Sequence, residues 1–388
     1  MSTSDKGIRQ LGPNRWEVRV NVGRDPATGQ LRQVSRSTRK GIADARKLRA
    51  KLVTEVAQGK HGGTAGTFGS LLDAWLAHGE REGRSPTTLA EYHRKVDTAI
   101  TPALGSIRLD RLTAHDLDRF YGTMTVAGLA PRSVQHHHRI ISAALATGER
   151  WGWVERNVAK LARPPAVHAK ALTVPPPERV RALIEKAAAS KSPELAAVIT
   201  VAALTGLRRG ELCGLRWSDV DWPGRALTVH RSIWQTADGW GVKAPKTHQV
   251  RRLLLGEHAA AVLAGRWERV TSAAGLAEVP LSDDAYVFSP ELTGEVALLP
   301  DTVTAAFGRL CRGMTTSTGE PWPYRFHDLR HYTATELFRA GHNPRTVADR
   351  LGHADPALTL RVYTHDTEDQ ARAAAEAIEA GIAPPALG

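Results

Sequence analysis

Cysteine is scarce in this chain of 388 residues, which contains only Cys213 and Cys311. The two lie 98 residues apart and form no Cys-x-x-Cys pair, so the sequence supports neither a disulfide framework nor a cysteine zinc site. Long apolar runs are also missing. The longest, residues 196–204, spans nine positions and includes a threonine, whereas a membrane helix needs about 20 apolar residues. The N-terminal residues show no secretory signal pattern, and we expect a cytoplasmic protein of bacterial type.

Acidic residues are outnumbered by basic ones, 40 to 52, which results in a net charge of +12 and a pI near 10.0. The first 60 residues contain 14 basic and 5 acidic residues, so nine of the twelve net positive charges lie there. This concentration favours a polyanionic partner, because each phosphate contact releases counterions and steers association. Nucleic acid is favoured over a membrane surface, because no amphipathic apolar face accompanies the charge.

The first block of the chain predicts a small three-stranded sheet packed on one helix. Three short alternating runs are separated by the turn sequences GPN and GRDPATG, a pattern typical of antiparallel strands. A helical pattern follows at about 42–58. In the second run, apolar and polar residues alternate from Trp16 to Val22, which predicts one buried and one exposed face. We expect the outer face of the sheet to present three arginines to DNA: Arg19, Arg32 and Arg36.

Residues 67–163 predict a bundle of several helices, the longest of them near 131–150. This helix carries a basic stripe, from which we expect Arg132 and Arg139 to contact DNA. It also carries three consecutive histidines, residues 136–138. Consecutive helical residues point about 100° apart, so these imidazoles cannot converge on one metal ion.

A proline-rich stretch, residues 162–178, predicts an extended linker. The chain beyond it predicts mostly helices, together with one hairpin between strands at 227–234 and 250–255. An alanine-rich helix is predicted at about 367–380. The three blocks together predict a mainly α protein with small β elements, in the α+β class.

Residues 325–338, RFHDLRHYTATELF, crowd cations at the start of a predicted helix. His327 and Arg330 are three residues apart and should share a helix face. His327 and His331 have the i, i+4 spacing of a zinc helix, but the glutamate of that motif is absent and Arg330 would repel a metal. An anion suits these residues better, because a helix N-terminus is partially positive and arginine offers paired donors. We expect the buried face of this helix to consist of Leu329, Thr333 and Leu337, which would leave the His/Arg face open.

Further candidates for an anion site lie on both sides of this stretch. The segment 205–217 predicts a helix on which Arg208 and Glu211 pair at i, i+3, and the sequence PKT places Lys246 next to a hairpin turn. Helix start and stop signals place His353 in a tight connection and Tyr363 in the following helix. Taken singly, these are an ordinary surface ion pair, an exposed histidine and a core tyrosine.

Taken together, these motifs resemble those of the phage-integrase family of tyrosine recombinases. The chain has TGLRRGEL, PKT, HDLRH, LGH and then a tyrosine ten residues further on, in the order and spacing of that family. The resemblance covers the whole chain and is strongest in the third block. It implies an enzyme that cuts DNA by attack of a tyrosine hydroxyl on a phosphodiester. The products are a 3′-phosphotyrosyl link and a free 5′-hydroxyl, and no metal or other cofactor takes part.

The resemblance assigns a role to each motif residue. Tyr363 matches the nucleophile, whose phenol is mostly protonated at neutral pH and needs a proton acceptor. Arg208 and Arg330 match the two arginines that hold the nonbridging oxygens of the phosphate. The full set implied to be catalytic is Arg208, Lys246, His327, Arg330, His353 and Tyr363. Arg209 is excluded, because a helical neighbour of Arg208 faces away from it.

The remaining residues of the set would transfer protons or support the arginines. Lys246 matches the lysine that protonates the leaving 5′-oxygen, although Lys243, three residues earlier, stays an alternative. His327 matches a residue that exchanges a proton with the tyrosine, and His353 matches one that hydrogen-bonds the phosphate. Glu211 would hold Arg208 in place from behind.

The resemblance also implies a division of labour among three domains. Residues 1–62 would bind arm-type DNA sites, residues 63–165 would form a helical, SAM-like core-binding domain, and residues 166–388 would form the mostly helical catalytic domain. The expected partners are double-stranded DNA with core-type and arm-type sites, three further copies in a homotetramer, and an accessory DNA-bending or directionality protein. We therefore predict integration and excision of a phage or other mobile element, by an enzyme associated with the nucleoid.

Four alternatives stay open from the sequence. Recombinases of the Xer type resolve chromosomes, but they usually lack a basic first block. Type IB topoisomerases share the chemistry yet relax DNA instead of exchanging strands. A DNA-binding regulator that never cuts would fit the charge, although the complete set of motif residues favours an enzyme. A metal-dependent nuclease or transposase is supported only by the adjacent Asp283 and Asp284.

Overall fold

A computed structural model of the chain describes residues 6–24, 31–57, 66–168, 173–190, 192–245, 250–282, 284–352, 372 and 376. Within these ranges, side chains are described except at positions 22–24, 31, 32, 55 and 57. Lys246, His353, Tyr363 and Asp283 lie outside the described residues, as does most of the predicted helix at 367–380. The chain forms two compact units, Met1–Ala169 and Lys170–Gly388.

The first unit begins with the predicted sheet and helix. Its strands pair antiparallel in the order β1-β2-β3 and pack against α1. The bounds are β1 Ile8–Gly12, β2 Arg15–Arg24, β3 Leu31–Thr38 and α1 Ile42–Ala57. The predicted alternation is confirmed where side chains are described: Val18 is fully buried with Ala45 and Leu52, while Trp16 and Val20 pack against them.

The register of this sheet corrects the predicted position of Arg36. Arg36 lies opposite Val18, whereas Arg19 lies opposite Ser35. Directly opposed residues of an antiparallel pair share a face, so Arg36 lies on the helix side of the sheet and Arg19 on the other. Val34 packs into the core below α1, and residues two apart in a strand point the same way. Arg36, although exposed, therefore shares the face of Val34, and its predicted place beside Arg19 is wrong. The side chain of Arg32 lies outside the description.

A helical bundle follows in the same unit. Its helices are α2 Phe68–Arg81, α3 Pro86–Lys95, α4 Thr101–Leu104, α5 Ala114–Val126 and α6 Pro131–Arg150, with a π-helical turn at Val96–Ile100 and a 3₁₀ turn at Val158–Leu161. The long helix predicted near 131–150 is thus confirmed as α6. Its buried stripe packs on α2, where Gly148 is so close to Leu71 that a Cβ atom there would lie 2.8 Å from the leucine side chain.

The three consecutive histidines of α6 have three different partners. His136 lies 3.2 Å from a carboxylate oxygen of Glu91. The buried ring of His137 lies 2.8 Å from the carbonyl oxygen of Ser133, and Nδ1 of His138 lies 2.9 Å from the hydroxyl of Tyr121. The prediction that these rings do not converge is confirmed. Among the described residues, no group of three or more His, Cys, Asp or Glu side chains could hold a metal ion.

The second unit is mostly helical around two small sheets. Its helices are α7 Pro177–Ala188, α8 Glu194–Thr205, α9 Arg209–Cys213, α10 Glu257–Leu276, α11 Pro300–Arg312, α12 Asp328–Arg339 and α13 Pro344–Leu351, with a 3₁₀ turn at Trp217–Asp219. Its strands are β4 Val220–Asp221, β5 Ala226–Val229, β6 Ser232–Thr236, β7 Gly239–Lys243 and β8 Arg251–Leu254. No described helix is both long and apolar enough to cross a membrane.

The strands of this unit do not form the single hairpin predicted from the sequence. β5 pairs with β8 as expected, and β4 completes that antiparallel sheet. The stretch predicted as one strand, residues 227–234, instead divides between two sheets, because β6 pairs with β7 in a separate hairpin. The turn at Asp238-Gly239, with a positive φ of 147° at the glycine, closes this second hairpin.

Helix α8 is the centre of the second unit. Eight of its residues are buried, and a helix that is apolar all round is typical of a core position. Helix α12 lies against it, and the hydroxyl of Thr333 donates to the carbonyl oxygen of Ala203 at 2.8 Å. Helix α13 packs on α12 through Val347 and Leu351. The C-terminal ends of α8 and α13 are thereby brought to the same place.

Candidate active site

Arg330 lies between the ends of α8 and α13. Its Nη1 donates to the carbonyl oxygen of Gly206 at 2.7 Å, and its Nη2 donates to that of Leu351 at 2.6 Å. Only 3% of the residue is exposed, so the predicted open His/Arg face is wrong for Arg330. The sequence spacing correctly predicts the helix, but the cover over this face comes from residues 124 and 21 positions away in the chain. Carbonyl groups at helix C-termini carry partial negative charge, which stabilises the buried guanidinium.

Arg208 reaches the same helix end from the other side. Its Nη2 donates to the carbonyl oxygen of Gly352 at 2.7 Å, and its Nη1 donates to Oε1 of Glu211 at 2.8 Å. The prediction that Arg208 lies within a helix is wrong, because Arg208 is the N-cap residue of the five-residue helix α9. Gly206 ends α8 in the left-handed conformation with φ of 67°, which breaks the predicted helix 205–217 in two.

Glu211 is the shared partner of two arginines. It is 1% exposed, accepts from Arg208 and also binds Arg251, which the sequence analysis missed. Burial alone raises the pKa of Glu211, but the hydrogen bonds and charges of Arg251 and Arg208 outweigh burial and hold the pKa below its ordinary value. The carboxylate is therefore ionised at neutral pH and can fix both guanidinium groups.

Two glycines make this close arrangement possible. Gly206 and Gly352 both end a helix with φ of 67°, a conformation that favours glycine. A Cβ atom at Gly206 would lie 2.5 Å from the side chain of Leu351, and one at Gly352 would lie 2.8 Å from Nη1 of Arg251. The glycines of the TGLR and LGH motifs are thus required by both conformation and space.

His327 is the N-cap residue of α12, and the residue as a whole is exposed although protein atoms surround its ring. Its ring meets that of His331 edge-on, with centroids 5.0 Å apart. The protein atoms packed around the ring, followed by His331 and Arg330, lower the pKa of His327 well below its ordinary value. The imidazole is therefore neutral at physiological pH and can accept a proton.

The other cations near these motifs have different partners. Arg325 forms an ion pair with Asp328, its Nη2 lying 2.9 Å from Oδ1. Arg209 turns towards α11, where its Nη1 lies 3.1 Å from Oδ1 of Asp301. The prediction that Arg209 faces away from Arg208 is confirmed.

Described residues that precede and follow Lys246 in the chain lie close to α9, the helix of Glu211. On the near side, Lys243 ends β7 opposite Ser232, and Ser232 lies so close to Gly210 that a Cβ atom there would be 2.6 Å from its hydroxyl oxygen. On the far side, β8 begins at Arg251, which binds Glu211. Strand β7, which ends at Lys243, and strand β8, which begins at Arg251, therefore both lie next to α9.

The described part of the site holds two arginines side by side. Two guanidinium groups contact the carbonyl groups of adjacent residues, Leu351 and Gly352, so they lie next to each other. His353 follows directly in the chain. Paired arginines offer forked donors that match the oxygens of a phosphate.

Comparison with known proteins identifies the family of this chain. A sequence model of the phage integrase family matches residues 176–370, half of the chain. The chain belongs to the phage integrase family. A second model, for the N-terminal SAM-like domain of phage integrases, matches residues 67–124. This recombinase is therefore an enzyme of the class that cuts and rejoins DNA at specific sites.

Curated relatives cover nearly the whole recombinase. A tyrosine recombinase XerC-like protein of Caldanaerobacter subterraneus is 25% identical over 95% of this chain and 96% of its own length. The ICEBs1 integrase of Bacillus subtilis is 25% identical over 92% of this chain and 95% of its own length.

Solved structures share the fold of this recombinase. The Tn1549 transposon integrase in complex with circular intermediate DNA has a TM-score of 0.67 at 23% identity, and the match covers 80% of this chain and 99% of the other. A lambda integrase tetramer bound to a Holliday junction has a TM-score of 0.59 at 19% identity, covering 94% of this chain and 96% of the other. The α+β fold predicted from the sequence is confirmed.

The arginines predicted to bind DNA on α6 lie together in the recombinase. Arg132 and Arg139 are both exposed, and with Tyr92 and His136 they line a surface cavity of about 390 Å³. The two arginines are seven residues apart, which is two helical turns. They form a basic patch on one face of the bundle.

Proposed function

We propose that this recombinase integrates and excises a mobile genetic element, with Tyr363 as the nucleophile that attacks DNA. The observation that carries the proposal is the convergence of Arg208 and Arg330 on the carbonyl groups of Leu351 and Gly352. Two guanidinium groups held side by side suit the two nonbridging oxygens of one phosphodiester. Tyr363 lies eleven residues beyond Gly352 in the chain.

The proposed step transfers one DNA strand to the protein. The oxygen of Tyr363 forms a bond to phosphorus while the bond from phosphorus to the 5′-oxygen breaks. The phosphate carries one negative charge at the start and gains a second in the pentacoordinate transition state. Arg208 and Arg330, already fixed before DNA binds, stabilise that additional charge with no reorganisation. Attack of another 5′-hydroxyl on the phosphotyrosyl link reverses this step, which releases Tyr363 and rejoins the strand.

Proton transfer is assigned to two further residues and a phosphate contact to a third. His327, whose lowered pKa keeps it neutral, accepts the phenolic proton of Tyr363. Lys246 protonates the leaving 5′-oxygen, and its PKT sequence context supports this role over that of Lys243, which lies within β7. His353 hydrogen-bonds the phosphate, since it follows the residue that Arg208 holds.

The domains and partners follow the same proposal. Residues 1–62 bind arm-type sites, residues 63–165 bind core-type sites through the patch of Arg132 and Arg139, and residues 166–388 cleave. The recombinase acts as a homotetramer on two duplexes in the bacterial nucleoid, assisted by a DNA-bending or directionality protein. Two similarities support these assignments of domains and partners. One is to the lambda integrase tetramer, over 94% of this chain, and the other is to the ICEBs1 integrase.

The test is covalent capture on a nicked suicide substrate that carries the core site. The wild-type chain should form an adduct between protein and the 3′ end, and Tyr363→Phe should bind the same DNA within about twofold yet form no adduct. Tyr324→Phe, a tyrosine of the same unit, is the control and should form adduct normally. An adduct that persists in Tyr363→Phe would assign the nucleophile to another residue. Reactions with excess chelator should proceed at the same rate, and a loss there would contradict the metal-free step.

A further inference from the structure

Arg251 is a buried cation beside the site that has no role in the proposed step. It begins β8, directly after the segment that contains Lys246, and its side chain is only 9% exposed. Its Nη1 donates to Oε1 of Glu211 at 3.1 Å, and its Nη2 donates to Oε2 at 2.6 Å. This is the forked geometry in which arginine binds carboxylates most strongly.

The carboxylate of Glu211 thus neutralises two arginines at once. Arg208 alone would satisfy a buried glutamate, and a second guanidinium on the same carboxylate adds repulsion between like charges. Arg208, Arg251 and Arg330 with Glu211 leave two positive charges uncompensated within this set of four. Two is also the number of negative charges on a phosphodiester in its pentacoordinate transition state. The arrangement is costly in the unbound chain and favourable around the reacting phosphate.

Arg251 also fixes the turn at Gly352. A Cβ atom on Gly352 would lie 2.8 Å from Nη1 and 3.0 Å from Cζ of Arg251, so this guanidinium packs directly against the glycine. The carbonyl oxygen of Gly352 accepts from Arg208. The two arginines that share Glu211 therefore hold the same residue, the one before His353.

We propose that Arg251 is a positioning residue for strand cleavage: through Glu211 and Gly352 it aligns Arg208 with the turn that ends α13. It acts through these neighbours and does not touch DNA. The inference rests on the proposed function, because it names a contributor to the same cleavage step.

The adjacent Arg252 offers a matched control. It forms an ion pair with Asp221, and both side chains are about half exposed, at 51% and 43%. It has the same charge and lies on the same strand, one residue further along the chain. Only its direction differs, because successive residues of a strand face opposite sides.

The first measurement is the single-turnover rate of adduct formation at saturating protein, alongside the dissociation constant for core DNA. Arg251→Leu should lower the rate about 10- to 100-fold, the range seen when residues that orient active groups are removed, and should leave the dissociation constant within threefold. Arg251→Lys should recover part of the rate, since it keeps the charge but loses the fork. Arg252→Gln should match the wild type.

The second measurement is the pH dependence of the same rate. The charged groups that face Glu211 are Arg208 and Arg251, while Arg209 on the same helix pairs with Asp301. Without Arg251, the buried carboxylate loses its strongest counterion and its pKa rises. The acid limb of the rate profile should therefore move to higher pH in Arg251→Leu and stay in place in Arg252→Gln. A residue with a purely structural role would lower the rate at all pH values equally.

A double variant completes the test. In a Glu211→Gln background, Arg251→Leu should cause little further loss, because both act through the same contact. Fully additive losses, an unchanged acid limb, or an equal loss in Arg252→Gln would each overturn the inference. If Arg251→Leu fails to fold, Arg251→Lys carries the test alone, and a wild-type rate would refute it. Absence of any wild-type adduct would instead refute the proposed function.

Discussion

Arginine serves two opposite purposes in the two units of this recombinase. In the second unit, Arg330 is 3% exposed and fully engaged with carbonyl groups at two helix ends. In the first unit, the side chain of Arg19 is 49% exposed and forms a surface ion pair with Glu17 at 2.9 Å. A buried charge must be held by several partners, whereas an exposed pair contributes under about 1 kcal/mol and is screened by salt.

This difference assigns the cleavage rate to the buried arginines and the affinity for DNA to the exposed ones. Buried arginines have one position each, so they can stabilise charge that appears only in a transition state. Exposed arginines gain their energy from the release of counterions and tolerate small shifts in DNA position. Loss of a buried arginine should therefore change rates, and loss of an exposed one should change the salt dependence of binding. Substitutions of both kinds of arginine test this difference.

Arg330→Ala should have the largest effect. It removes a guanidinium group that is proposed to stabilise the phosphate, and the loss of one such stabilising group typically costs about 10²–10³ in rate. It also leaves the carbonyl groups of Gly206 and Leu351 without their partner, at about 1–3 kcal/mol. Single-turnover adduct formation and urea denaturation measure the two effects. Arg330→Lys, which keeps the charge, should recover stability more than rate. A rate within threefold of the wild type in Arg330→Ala would contradict the claim that the buried arginines determine the cleavage rate.

Glu211→Gln should come next, with an effect that depends on pH. The folded-state pKa of Glu211 lies below its ordinary value of 4.5. Its contribution to stability is thus complete above pH 4.5 and is lost as the pH falls through the folded-state pKa. At pH 7 the variant should lose an amount approaching the roughly 3–5 kcal/mol typical of a broken buried pair.

Denaturation of both proteins at several pH values measures this contribution. The wild type should lose stability below pH 4.5 more steeply than Glu211→Gln, so the gap between them should narrow in acid. A constant gap would mean that Arg208 and Arg251 do not lower the pKa of Glu211.

The local sequence pattern predicted many of the helices and strands correctly, but it did not predict contacts between residues far apart in the chain. The alternation around Val18 and the periodicity of residues 131–150 correctly identified β2 and α6, because burial of one face is encoded within each element. The i, i+3 pair of Arg208 and Glu211 was also found from spacing. Arg251 was missed, because its link to Glu211 spans 40 residues and shows no local spacing signal.

The errors have the same physical origin. Spacing predicted a shared face for His327 and Arg330, but only packing against α8 and α13 decides that Arg330 is covered. The helix predicted at 205–217 ignored Gly206, whose left-handed φ ends α8 there. Arg36 was the avoidable error, since it lies two residues after Val34 and therefore shares its face, and this parity of a strand is readable from the sequence. Lys246, His353 and Tyr363 stay predictions.

Arg132→Gln and Arg139→Gln should change binding and leave the chemistry intact. Both arginines are exposed on one face of α6, so each should lower the slope of log K against log salt by about 0.9. The cleavage rate at saturating protein should stay at the wild-type value. Arg119→Gln, an exposed arginine on α5 paired with Asp116, is the control and should change neither. A lower rate at saturation would show that α6 takes part in positioning the phosphate.

The smallest effect should come from the sheet of the first unit, where Arg19 and Arg36 lie on opposite faces. Only one face can meet an arm-type site, and α1 packs on the face of Arg36. Arg19→Gln should therefore lower the salt slope of arm-site binding by about 0.9, while Arg36→Gln should leave the slope unchanged. Cleavage of core DNA should be the same in both variants. Equal losses of slope would mean that DNA contacts the sheet along its edge instead of its open face, because only an edge presents side chains of both faces to one partner.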